Sequence, residues 1–206
     1  MSDTGSIDPL AAAVLVFWFG EPGSNERETF RELWFRKSEA TDRQLADRFG
    51  PTIERALRGE LADWSRQPES ALAQIVLLDQ FTRNVFRDTP RAFAGDARAL
   101  AAATAMVGQR QDDSLPALQR CFVYMPFEHA EGMVAQDEAV RLLTRLVDST
   151  PRETPMAPDL RSMLDYAEKH RTVIRRFGRF PHRNAILGRH STPDEAAFLQ
   201  EPGSRF

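Results

Sequence analysis

Asp79, Gln80, Arg83 and Asn84 follow directly on the apolar run "ALAQIVLL", where a core segment would be expected to stay apolar. On a helix, Asp79 faces Arg83 and Gln80 faces Asn84, each at spacing four. Such a set either marks a helix emerging into water or gives a buried cleft a polar lining. A second stretch, "YMPFEHAE", places Tyr124, Glu128, His129 and Glu131 beside Phe and Pro. All four can hold or exchange a proton. If the segment is helical, Glu128 and Glu131 share a face and His129 points elsewhere; two carboxylates on one face push one pKa upward, which suits acid–base work. The third stretch is "HRTVIRRFGRFPHRNAILGRH", His170 to His190, with six arginines, three histidines and no acid. Here Arg175, Arg176, Arg179, His182, Arg183 and Asn184 are candidates for gripping an anion, since a guanidinium offers a planar fork to phosphate or carboxylate. Paired with the chain's own acids, the same arginines would be structural.

Charge accounting suggests that the three stretches meet. The first two supply Asp79, Glu128 and Glu131, three carboxylates against six arginines, and Arg83 adds to the positive side. A cluster built from these alone stays positive, and a small phosphate- or carboxylate-type ligand would neutralise the remainder. Glu128, His129 and Glu131 are then the candidates for catalysis. The other named residues, Tyr124 included, are candidates for ligand contact. Neither "EHAE" nor the placing of the four histidines matches a recognised ligand spacing. The chain is therefore expected to need no metal and no cofactor.

The elements that must position these groups read as helical throughout. Asp8 can cap a first helix with Pro9 at its first position, and Gly20 can end it. Thr41 or Asp42 can open another, with Leu45, Phe49 and Ile53 on one face and Pro51 as a break or a new start. Pro126 is expected to interrupt "CFVYMPFEH". Residues 131 to 147 read as a helix with Val134, Val140, Leu142, Leu143, Leu146 and Val147 as core candidates, and another runs from about Asp159 to Phe177. Gly178 ends it, and Pro181 can start a further helix whose free N–H groups would favour an anion near Arg179, His182 and Arg183. "STPDE" is a capping box, Thr192 to Glu195. No strand or fixed repeat is evident. Residues 1–7 are expected to be flexible and the proline-bearing stretch 148–158 to be an exposed loop.

The 206 residues suit a single domain with ample material for a core. A net charge of −3 argues against a general nucleic-acid binder. "PLAAAVLVFWFG" is too short to span a bilayer and has no basic flank. A single cysteine, Cys121, excludes an internal disulfide and suits a reducing compartment, so the cytoplasm is the expected location.

Together "VLVFWFG", "LWFRKS", "GELADW", "QIVLLDQFTRNVFR", "YMPFEHAE", "HRTVIRRFGRFPHRNAILGR" and "STPDEAAFL" resemble a bacterial family known as domain of unknown function 924, over nearly the full chain. The resemblance implies an all-α fold of the tetratricopeptide-like α-α superhelix type. It implies no activity. Many relatives carry Ser where this chain has Ala130 and Pro where it has Thr82, so no hydroxyl role is expected at 130. Three functions stay open: an enzyme acting on a small anion, a non-catalytic binder of such a molecule or of a peptide, and a structural protein with self-satisfied polar clusters.

Overall fold

The structure, a computed structural model, describes residues 7–204; residues 1–6, most of the stretch expected to be flexible, and residues 205–206 lie outside the described residues. Helices make up the fold, and no strand occurs among the described residues. Helix α1 (Pro9–Phe19) starts as its sequence dictates: the Asp8 carboxylate accepts from the amides of Leu10 and Ala11, and Gly20 ends it at φ 91°. Val14, Leu15, Trp18 and Phe19 are buried in the main core.

Helix α2 (Glu39–Arg58) departs from expectation twice. Ser38 caps it, accepting from the Thr41 amide, so it begins before Thr41. It also runs straight through Pro51. That proline lies on the exposed side, while Leu45, Phe49 and Ile53 are at most 3% exposed, so their burial outweighs one missing N–H.

Helix α3 (Pro68–Ile75) passes without a break into a π-helical turn, Val76–Phe81, and then into α4 (Thr82–Val85). Every residue of the π turn is buried, Asp79 and Gln80 included. Gly95, just before α5 (Asp96–Gly108), packs against it so closely that a methyl group there would land on the Leu78 carbonyl.

Helix α6 (Ala117–His129) continues through Pro126, against expectation, because Leu118 to Glu128 is buried almost without interruption and packing holds the helix together. It stops at His129. Ala130 is extended, so Glu131 leaves the helix and shares no face with Glu128. The buried amide of Gln136 donates to the carbonyls of Glu128 and Ala130, satisfying groups that the helix end leaves open.

Helix α7 (Met133–Ser149) buries Val140, Leu142, Leu143 and Leu146 but leaves Val134 88% exposed, so Val134 is no core residue. Helix α8 (Ala157–Phe177) ends at Gly178, φ 70°. Pro181–Arg183 forms only a single 3-10 turn, and the helix expected there is absent, with it the anion site at its start. Helix α9 (Pro193–Phe198) carries the capping box of Thr192 and Glu195.

Helices adjacent in sequence pack side by side, α5 on α6, α6 on α7 and α7 on α8. This serial packing is compatible with the α-α superhelix. No helix is long and apolar enough to cross a membrane among the described residues.

Candidate functional site

Asp79 lies within the π turn and is fully buried. A π turn widens the helix by one residue, and such turns recur at functional sites. The Asp79 carboxylate meets Nδ1 of His129 at 2.8 and 2.9 Å, accepts from the Gln80 side-chain amide at 2.6 Å and lies 3.7 Å from Arg83. Burial by itself would raise the Asp79 pKa, but the charges of His129 and Arg83, with the hydrogen bonds from His129 and Gln80, outweigh it and hold the carboxyl well below the usual range. Gln80 also reaches the Met125 sulfur, which ties the turn to α6.

Beside His129, Glu128 Oε1 lies 2.9 Å from Nδ1 of His170, which also donates to the Tyr166 carbonyl at 2.8 Å. The two imidazole rings are 6.1 Å apart, and His170 meets the edge of Phe180. Phe180 in turn donates its amide to Glu131 at 2.8 Å, while Arg189 grips the same carboxylate with two bonds and also donates to the Phe180 carbonyl.

Arg83 makes two bonds to Asp96 at 2.8 and 3.3 Å, and Arg183 donates to the same carboxylate at 3.1 Å. Arg183 is 6% exposed and lies over the rings of Phe93 and Phe180. Burial and the neighbouring Arg83 pull its pKa down to about 10. Next to it, burial and the Arg183 charge push His182 down to about 3, so that ring is neutral at ordinary pH.

The three stretches therefore do converge: Asp79 on His129, Arg83 and Arg183 on Asp96, Glu131 on Phe180. Several of the expected members stand elsewhere. Tyr124 donates to the buried Asp112 at 2.6 Å and accepts from Arg120; burial and the Asp112 bond push its pKa to about 12. Asn84 is turned to Asp42. Arg175 and Arg176 lie on the exposed face of α8, with Arg176 over Phe177 and Phe198. Arg179 and Asn184 both donate to Glu195. Cys121, whose thiol burial pushes up to about 12, offers no thiolate.

A family model described as bacterial protein of unknown function (DUF924) matches residues 14–203. The chain belongs to this family. It is similar to a solved structure, the protein of unknown function ATU0120 from Agrobacterium tumefaciens, with 38% identity and a TM-score of 0.77 over 93% of this chain and 97% of that one. Comparison with curated proteins found no match.

In this DUF924 chain, four participants escaped the sequence reading of the site. Asp96 and Glu195 are the missing acids, His170 is the partner of Glu128, and Arg189 is the partner of Glu131. They correct the charge accounting. Counting Asp79, Asp96, Glu128, Glu131 and Glu195 against Arg83, Arg179, Arg183 and Arg189, the carboxylates outnumber the arginines, so the cluster as a whole is not positive. Glu195 carried one available signal, the capping box. Its side chain closes that box on the Thr192 amide and has capacity left for Arg179 and Asn184. Asp96 carried no signal beyond its place at a helix start.

Proposed function

We propose that this site binds the anionic end of a small molecule between Arg83 and Arg183, next to a histidine able to exchange a proton with it. The observation that carries the reading is local. Two guanidinium groups share the single carboxylate of Asp96, and the buried Nε of Arg183 has no hydrogen-bond acceptor. A buried N–H without an acceptor is costly, and an incoming phosphate or carboxylate oxygen supplies one. The pKa of Arg183 is lowered first by its burial and then by the neighbouring charge of Arg83. His129 and Gln80 both contact the Asp79 carboxylate. Asp79, held ionised, only accepts, so Nδ1 of His129 carries a hydrogen towards it, and in the ring's neutral form Nε2 is the acceptor. That is the arrangement of an oriented general base, with Asp79 as the positioning residue.

The test is thermal melting at constant ionic strength with phosphate, sulfate or acetate. The wild type should melt higher in at least one of them. Arg183→Gln, checked for retained helicity, should lose the increment. Arg179→Gln should keep it, because Arg179 serves Glu195. Equal increments in wild type and Arg183→Gln, or none in either, would sink the reading.

A further inference from the structure

We propose that residues 178–198 form a lid, hinged at Gly178, which a bound anion closes by joining Arg183 on the lid to Arg83 on the body. The inference rests on the anion reading above and says how the ligand enters. With the lid down, the place for it is shut. The Arg183 side chain is 7% exposed, and its guanidinium lies over the rings of Phe93 and Phe180, 4.7 and 4.6 Å from their centres. Asp79, which Arg83 also faces, is fully buried. An anion reaches the Nε of Arg183 only when a covering group moves, and of the two rings Phe180 belongs to the segment that carries Arg183 itself.

The segment is stitched to itself. Arg179 and Asn184 both donate to Glu195, Arg179 also donates to the His190 carbonyl, and Arg189 donates to the Phe180 carbonyl. Phe180 packs in a small apolar cluster with Val173 and Ile174, joined by Met133, Phe177 and Phe198, apart from the main core. The charged ties to the body are Arg183 on Asp96 and Arg189 on Glu131, with the Phe180 amide on the same Glu131. The side chains of Asp96, Glu131 and Arg189 are 23%, 25% and 24% exposed, and ion pairs that water reaches hold weakly. At the root of the segment Gly178 has φ 70°, with nothing within 4 Å of where a Cβ would stand, so the backbone there is free to turn. Hinges are commonly a few such residues at the end of an element.

Lifting the lid leaves Arg83 with Asp79 and Asp96, so no cation of the body is stranded. Lowering it brings a second guanidinium to Asp96, and an anion held by both arginines favours the lowered form alone. A ligand shifts such an equilibrium by its difference in affinity for the two forms. The experiment follows hydrogen exchange of the Phe180 amide in the whole chain by nuclear magnetic resonance. The probe is whichever of phosphate, sulfate and acetate raises the melting temperature most, at constant ionic strength. Without it, the Phe180 amide should exchange at least about tenfold faster than the buried amides of α6, through a local opening. At ten times its dissociation constant the anion should slow that exchange about tenfold. Arg183→Gln should lose the slowing. Gly178→Ala is strained only while the lid is down, so it should speed Phe180 exchange roughly 5- to 30-fold and leave α6 unchanged. Exchange of Phe180 in step with α6, or unaltered in Gly178→Ala, overturns the proposal. Phe180 exchange unmoved by an anion that still raises the melting temperature through Arg183 overturns the lid and leaves the anion reading standing. No melting increment from any of the three anions removes the anion reading, and the lid falls with it.

Discussion

At Asp79 burial and charge work against each other, and charge wins because His129, Gln80 and Arg83 all lie within reach of one carboxylate. Asp79→Asn keeps the shape and removes the charge, leaving Arg83 only Asp96 and giving His129 a weaker acceptor. A broken buried pair of this kind costs about 3–5 kcal/mol, so the variant should unfold in urea with that loss and an unchanged slope. A loss near zero would mean that Asp79 is not ionised in the native state. The polar residues at 79–84 and 128–131 stood out in the sequence because they interrupt apolar runs. Their partners did not. His170 sits on α8 among ordinary surface-helix residues, and Asp96 starts a helix as any aspartate can; each becomes a member of the site only through tertiary packing. Tyr124 shows the converse: a residue of the right type beside the right motif, one face of α6 away, satisfied by Asp112.

Among the elements, the π turn and the last short helix do most to set the site. Gly95 lets α5 lie directly on the widened turn. Gly95→Ala forces methyl against backbone, and backbone cannot rotate aside as a side chain does. The expected cost is about 1–3 kcal/mol, and Asp79 should be displaced with Leu78, which chemical shifts of the His129 ring would report. Helix α9 depends on Glu195. Arg179 holds its carboxyl down to about 2, against some opposition from burial and with help from the Thr192 amide. The folded pKa therefore lies below the unfolded one of about 4.3. This contribution to stability is complete above the unfolded value and disappears as pH falls through about 2. The melting temperature of the wild type should fall over that interval, whereas Glu195→Gln should start lower at neutral pH and fall less steeply. Parallel curves would show that Glu195 is not linked to folding. Caps and glycine stops, as at Asp8, Gly20, Gly178 and Thr192, were readable because they are local chemistry. The prolines at 51 and 126 were misread as breaks because burial elsewhere on their helices decides continuity. The π turn carries no such local signal, and the close approach of Gly95 to it is a matter of tertiary packing.

For the molecule as a whole, the site is the place where residues 178–195 clasp the rest of the chain. Arg183 reaches Asp96, and Arg189 with the Phe180 amide reaches Glu131. Glu131→Gln keeps one acceptor for the Phe180 amide but gives up the charge for Arg189, so hydrogen exchange in 178–195 should quicken while α2 and α6 stay protected. Uniform quickening would instead mark the segment as part of the global unfolding unit. An all-helical single domain followed from the spacing of apolar residues; which distant charges it would bring together did not. The clasp also sets an order of events during synthesis. The chain is made from its N-terminus at about 5–20 residues per second, so α1 to α7 are synthesised while Arg183 and Arg189, which reach Asp96 and Glu131, are still to be made. Until the closing segment arrives, Glu131 lacks Arg189 and Asp96 has only Arg83. The finished site is thus a mark of a chain translated past Glu195, and a shortened product would betray itself as an acidic, unclosed surface that proteases could find.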